Sequence, residues 1–255
     1  MSWKPFTIIH VPHSSMEIPE DLLEDFLLSR EELTRELHLM TDHYTGELFN
    51  IPGVPMIRFP VSRLVVDPER FLDDSQEIMA TKGMGAVYTS TSNGRPLRVL
   101  DESKRKALLN RYYRPHHLQF DMACTRCLHE SGKCLLIDGH SFPSIPLPYE
   151  LDQISDRPNI CIGTDEFHTP AWLSDIAERS FREYGFVVSL NAPFSGTLVP
   201  SGYYRREARV MSIMIEINRS LYMKEPYGSK NGRFVAVRLA IQKVMSILID
   251  AVASR

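Results

Sequence analysis

The sequence has few cysteines, no excess of either charge and no long apolar run. Four cysteines in 255 residues are too few for a disulfide framework, which points to reduced thiols and a cytoplasmic setting. Lys and Arg total 29 against 32 Asp and Glu, a formal net charge of -3. A nucleic-acid-binding domain usually carries a basic excess, so that class is disfavoured. No stretch approaches the roughly 18 apolar residues of a membrane span. The opening Met1-Ser2-Trp3-Lys4-Pro5 lacks the charged, apolar and small-residue regions of a signal peptide. Repeats, low-complexity tracts and linkers are absent too, so residues 1–255 read as one domain. What is present is the composition of a soluble globular chain able to bury a core: 43% apolar and 24% charged residues.

Apolar runs alternate with amphipathic stretches, which predicts an α/β fold. Strands are expected at Phe6–Val11, Met56–Phe59, Arg63–Val66, Cys134–Asp138, Asn159–Ile162, Phe186–Leu190 and Val210–Ile217. One or two helices are expected between Glu20 and Phe49. Asp101 is a cap for a helix running to about Ser131, with Pro115 ending or kinking it. Thr169-Pro170 reads as the cap and first turn of a helix to about Tyr184. Arg233–Ser254 has Val237, Ile241, Val244, Leu248 and Val252 on one helical face. Residues 72–98 read as a long excursion near a site or an oligomer contact.

Three groups of residues carry chemistry. His13 and His140 each follow an apolar run, and open α/β sheets place ligands beyond the carboxyl ends of their strands. Two such histidines can meet at one metal, with Asp42 as a third ligand, because catalytic zinc takes His and carboxylate ligands and leaves one position open. Each histidine also has an ordinary reading as a hydrogen-bonded core or surface residue. Ser62-Arg63-Leu64-Val65-Val66-Asp67-Pro68-Glu69-Arg70 offers two guanidinium forks suited to a carboxylate, or else a surface ion-pair cluster. Glu216 interrupts the apolar run Val210–Ile217. A carboxylate there is either a general base with a raised pKa or half of a structural ion pair. Cys124, Cys127, His129 and Cys134 read as structural, because zinc-knuckle ligand pairs lie further apart.

The sequence resembles the N-formylglutamate amidohydrolase family, also called N-formylglutamate deformylases. The matching motifs are Val11-Pro12-His13-Ser14, Asp42, Ser62 to Asp67, Tyr113-Arg114-Pro115-His116-His117, and Asp138-Gly139-His140-Ser141-Phe142. They continue with Gly163-Thr164-Asp165, Asn191 to Gly196, and Glu216-Ile217-Asn218-Arg219 with Tyr222, in the family's order across residues 9–223. That family is similar to zinc carboxypeptidases and aspartoacylases. The resemblance therefore implies a three-layer αβα sandwich with a mixed central sheet, of the phosphorylase/hydrolase-like, zinc-exopeptidase type.

Residue by residue, the resemblance implies one zinc per chain on His13, Asp42 and His140. Glu17 is an alternative third ligand, because the wider superfamily commonly has Glu three residues after the first His and here that position is Met16. Arg63 is expected to polarise the scissile carbonyl and Glu216 to be the general base. Arg70, His117, Asn191 and Arg219 are expected to bind substrate. Glu69 stands where the superfamily pattern has a neutral Asn, which bears on specificity. The implied reaction hydrolyses the amide of a small anionic N-acyl amino acid, N-formyl-L-glutamate giving formate and L-glutamate in histidine catabolism. Zinc lowers the pKa of a bound water from about 15.7 towards 7. Competing readings are a zinc carboxypeptidase, a deacylase for another acyl group, and a non-catalytic small-molecule binder. The joint presence of His13, His140, Arg63 and Glu216 argues against the last.

Overall fold

A computed structural model describes residues 5–255; Met1 to Lys4, part of the segment weighed above as a secretion signal, lie outside them. The strands are β1 (Thr7–Val11), β2 (Met56–Arg58), β3 (Cys134–Phe142), β4 (Ile160–Gly163), β5 (Val188–Leu190) and β6 (Val210–Asn218). They form a six-stranded sheet in the order β2-β1-β3-β6-β4-β5. Neighbours run parallel except β4, which is antiparallel to β6, so the sheet is mixed. The helices are α1 (Arg30–Met40), α2 (Thr45–Leu48), α3 (Glu102–Leu108), α4 (Arg114–Ser131), α5 (Ala171–Glu183) and α6 (Phe234–Ala253).

Successive side chains of a strand point to opposite faces, and the core divides accordingly. Ile9, Val11, Leu135, Ile137, Ile213 and Ile215 pack with Leu173, Ala177 and Phe181 of α5 and with Val237, Ile241, Val244 and Leu248 of α6. Ile8, Cys134, Leu136 and Val210 pack on the other face with Phe120, Cys124 and Cys127 of α4. Helices thus cover both faces, which is the three-layer αβα arrangement expected from the sequence. Burying one such Ile or Leu side chain contributes about 1.5–3 kcal/mol. The cysteines are free thiols in this packing, while His129 is exposed. Among the described residues no helix is long and apolar enough to cross a membrane.

Several boundaries differ from expectation for physical reasons. The strand from Cys134 continues through Phe142, so His140 lies inside β3 and not beyond it. Arg63–Val66 is not a strand. Val65 N–H bonds the Ser62 carbonyl at 2.9 Å, closing a turn. Leu64, Val65 and Val66 are fully buried nonetheless. Arg98 takes the place of a ladder partner: its Nη2 donates to the Leu64 and Val65 carbonyls, each at 2.7 Å, and its Nε to the Tyr88 carbonyl at 2.7 Å. This anchors the 72–98 excursion, whose Met79, Met84, Val87, Tyr88 and Leu97 join a separate apolar cluster.

Asp101 caps α3 as expected, accepting from Lys104 N–H at 2.7 Å. Pro115 does not break the helix, because a π-helical turn at Leu109–Tyr113 precedes α4 and Pro115 falls in its first turn. Thr169 does not cap α5 with its side chain; its hydroxyl donates to the Ser212 carbonyl at 2.6 Å.

Arg98→Ala should strand three buried carbonyls and lower the unfolding free energy by at least about 2 kcal/mol. Urea denaturation at constant slope measures this, and a loss below about 0.5 kcal/mol would show that Arg98 does not hold the excursion.

Candidate active site

Because β1, β3 and β6 are adjacent and parallel, their carboxyl ends lie along one edge of the sheet. The register pairs His10 with Asp138 and His140 with Glu216. Two-residue periodicity puts His10, Asp138, His140 and Glu216 on the α4 face. The apolar partners Ile8, Leu136 and Val210 fill the same face further down. His13 follows two residues after β1.

His13 is oriented by Asp67. Its Nε2 donates to Asp67 Oδ1 at 2.9 Å. Asp67 also accepts from Arg63 Nη2 at 2.8 Å, Tyr88 OH at 2.6 Å and Glu69 N–H at 3.0 Å. Burial opposes the Asp67 charge, but Arg63 and His13 outweigh it and hold the carboxyl well below its ordinary range. Burial, with help from Arg63, pushes the His13 pKa down, so its ring is neutral. With the proton on Nε2, Nδ1 carries the lone pair. That Nδ1 is buried with no hydrogen-bond partner and lies 3.8 Å from Asp42 Oδ2.

The same Asp42 oxygen lies 3.2 Å from His140 Nδ1 and accepts from Ser141 N–H at 3.2 Å. The other oxygen accepts from Arg219 Nη2 at 2.9 Å. Burial disfavours the Asp42 charge, yet the His140 hydrogen bond and the Arg219 charge keep its pKa below the ordinary value. On the opposite side of its ring, His140 Nε2 lies 3.2 Å from both Asp138 Oδ1 and Glu69 Oε1. Burial works against a charged His140, and Glu69 and Asp138 raise its pKa well above the usual value in spite of it.

Glu216 is 8% exposed, and its Oε2 has no partner. Burial raises its pKa from 4.5 to about 8, with the His140 charge opposing and Asp42 reinforcing the shift. A carboxyl with a free oxygen and a pKa near neutrality is suited to accept and return a proton.

These donors fit a divalent cation. Ligand-type atoms of His13, Glu69 and His140 lie within 4.8 Å of one another, as do those of His10, Glu69 and Asp138. Imidazole nitrogens and carboxylate oxygens suit zinc and its neighbours. The unpartnered His13 Nδ1 is a buried lone pair facing a carboxylate, an arrangement that a cation between them satisfies.

Arg63 Nε donates to Tyr88 OH at 3.1 Å beside its Asp67 bond. Arg70 is 3.6 Å from Asp67 and 3.9 Å from Glu77, its Nε is unpartnered, and its side chain is 23% exposed. His117 Nε2 donates to the Pro68 carbonyl at 2.8 Å, and its ring stacks on Tyr113 at 4.1 Å. Tyr113 OH donates to the Arg70 carbonyl at 2.9 Å, so the π-turn and α4 clamp the 67–70 segment. Asn191 is exposed and uses both amide atoms on Thr164. Arg219 is buried on Asp42, Ser141 and the Leu39 carbonyl. Glu17 is exposed and lines an open cleft with Ser14, Ser15, Met16 and Arg58, outside the histidine clusters.

The sequence alone assigned no role to His10, His116, Tyr88 or Asp138, and Asp67 stood there only as part of a family motif or of a surface ion-pair cluster. A signal existed: Ile8-x-His10, Leu136-x-Asp138-x-His140 and Met214-x-Glu216 alternate apolar and polar residues on a single face.

Residues 6–223 match the family model described as N-formylglutamate amidohydrolase. An N-formylglutamate deformylase from Pseudomonas putida is 23% identical over 261 residues, covering 97% of this chain and 94% of that protein. The crystal structure of an N-formylglutamate amidohydrolase from Ralstonia eutropha superposes with a TM-score of 0.85 at 24% identity, over 98% of this chain and 94% of the other. A gene product of Agrobacterium tumefaciens gives 0.69 at 18% identity, over 97% and 92%. With the family model spanning most of its length, the chain belongs to the N-formylglutamate amidohydrolase family.

Proposed function

We propose that the protein hydrolyses N-formyl-L-glutamate to formate and L-glutamate with one zinc ion per chain. The observation that carries this reading is the pair of imidazole Nδ1 atoms, one of them unpartnered, facing a single Asp42 oxygen. Glu216 and its free oxygen lie in register beside His140. The family supplies the substrate class.

His13 Nδ1, His140 Nδ1 and Asp42 are the proposed ligands. Metal-ligating histidines typically donate their other ring N–H to a carboxylate. Asp67 accepts from His13 in this way, and Asp138 and Glu69 from His140. Arg219 keeps Asp42 ionised and aimed. A divalent ion held here supplies Lewis acidity and lowers the pKa of water. Glu216 takes the proton from the attacking water and delivers it to the amine of the departing glutamate. Arg63, fixed by Asp67 and Tyr88, donates to the oxygen that becomes negative; one such donor is commonly worth about 3–4 kcal/mol of barrier. Arg70 makes only long contacts to acids, 3.6 Å from Nε to Asp67 and 3.9 Å from Nη1 to Glu77, so its Nη donors are left for a substrate carboxylate.

Metal analysis should find about one zinc per chain, with formate released from N-formyl-L-glutamate. A protein that stays metal-free after reconstitution, or that cleaves N-acetyl or peptide substrates in preference, defeats this assignment. Asp42→Asn should weaken zinc by more than about 100-fold and Glu69→Gln by about tenfold, since outer partners cost 10–100-fold. The reverse order moves the third ligand to Glu69.

Glu216→Gln should retain zinc and lower kcat by about 10²–10⁴. Its effect on stability has the opposite sign. A carboxyl whose folded pKa is raised from 4.5 to about 8 loses stability as pH rises through that window. The metal-free Gln variant should therefore melt higher than the parent at pH 8, and the gap should close towards pH 5. A gap independent of pH would remove the buried-carboxyl explanation. Arg70→Met should raise KM for N-formyl-L-glutamate about tenfold or more with a smaller change in kcat, the cost of one charge-assisted hydrogen bond. An unchanged KM would release Arg70 from substrate binding.

A further inference from the structure

The buried side chains of His10 and His116 have no part in the chemistry above, yet they form a continuous line into it. His116 Nε2, from the first turns of α4, lies 2.9 Å from His10 Nε2. His10 Nδ1 lies 2.8 Å from Asp138 Oδ1, and that oxygen lies 3.2 Å from His140 Nε2. Asp138 Oδ2 accepts from Leu198 N–H at 3.0 Å. His10 is fully buried and stacks on Phe120 at 4.8 Å, and His116 meets the edge of Phe59 at 5.0 Å. Each ring thus has an aromatic neighbour on one side, and Glu69 Oε1 lies 3.8 Å from His10 Nδ1.

The direction of each hydrogen bond follows from what each group can do. A carboxylate only accepts, so His10 Nδ1 and His140 Nε2 both donate to Asp138. In the tautomer that donates from Nδ1, His10 has a lone pair on Nε2, so the bond to His116 is donated by His116 Nε2–H. The line therefore has one polarity: His116 donates to His10, His10 to Asp138, and His140 to Asp138 from the other side.

We propose that His10 is a positioning residue for the metal centre, acting through Asp138. With His116 at its back, His10 holds the Asp138 carboxylate where it fixes His140 in the tautomer that keeps Nδ1 free for the ion. This rests on the reading of His140 Nδ1 as a ligand atom. It also gives a use to the second cluster of His10, Glu69 and Asp138: the 2.8 Å contact between His10 and Asp138 is a hydrogen bond that orients the site and not a second ion site.

The test separates the line from the metal. Long-range ¹H–¹⁵N correlation on the ¹⁵N-labelled full chain reads the protonation of each ring nitrogen. In the metal-free protein His10 should show Nδ1–H and His116 Nε2–H. A His10 protonated on Nε2, or on both nitrogens, overturns the proposal even if zinc binds as expected. In the zinc-loaded protein His140 should show Nε2–H only. Zinc affinity, read by chelator competition, should fall about tenfold in His10→Leu. His10→Asn places an amide donor near the Nδ1 position and should recover most of that loss. A folded His10→Leu with parental zinc affinity, or a second zinc equivalent lost on that substitution, overturns the proposal. If His10→Leu does not fold, the ring-nitrogen spectrum of the parent decides. If the parent binds no zinc, the metal reading fails, while the His10 and His116 tautomers still decide the polarity of the line.

Discussion

The Asp67 carboxylate is fully buried, and the arrangement of the site follows from the need to pair it. An ionised carboxyl inside a protein costs several kcal/mol unless donors surround it. Here those donors come from separate parts of the chain: His13 beyond β1, Arg63 from the turn before Asp67, Tyr88 from the excursion and the backbone of Glu69. The group that orients His13 thus also fixes Arg63 and ties Tyr88 of the 72–98 segment to the site. Tyr88 closes the link, because its carbonyl is held by Arg98 while its hydroxyl serves Asp67. Packing of the excursion and geometry of the site are one constraint seen from two sides.

Much of the sheet was legible because burial on two faces leaves a plain mark. In Thr7–Val11, Cys134–Phe142 and Val210–Asn218 one set of alternate positions carries Ile9 and Val11, Leu135 and Ile137, and Ile213, Ile215 and Ile217, while the other carries His10, Asp138, His140 and Glu216 towards the carboxyl ends. That break in one face locates His140 and Glu216. It also marks His10 and Asp138, which were passed over because each looks like an isolated polar residue until the β1–β3 register brings them level. The C-terminal helix was legible for the same reason, since its apolar face meets a sheet and not solvent.

The 62–70 segment shows where sequence stops. On charge alone it reads first as an exposed ion-pair cluster, because nothing local says that Asp67 is buried; that depends on Tyr88 and His13, which are distant in the chain. Leu64 to Val66 read as a strand because burial and strand formation share a composition. The structure satisfies their carbonyls with a guanidinium, a solution that leaves no periodic trace. His117, Asn191 and Arg219 were drawn in by resemblance, and each is engaged with the protein itself. Arg219 still bears on the site through Asp42, and His117 through the segment that carries Arg70.

Glu69 takes on a different meaning once both faces of the histidines are compared. As an added negative charge in a pocket for an anion it looks like an obstacle. Yet its oxygens lie 3.2 Å from His140 Nε2 and 3.6 Å from His13 Nε2, on the side of each ring away from Asp42. A cation cannot occupy both sides of the same imidazole pair, and the Nε2 side of His13 is already bonded to Asp67. In the proposed reading Glu69 therefore acts on the ligands and not on the substrate. It accepts from His140 Nε2–H beside Asp138, strengthening the Nδ1 donor on the far side of the ring. Its charge is then set against the imidazoles and the ion they hold, which leaves Arg70 to meet the substrate carboxylate.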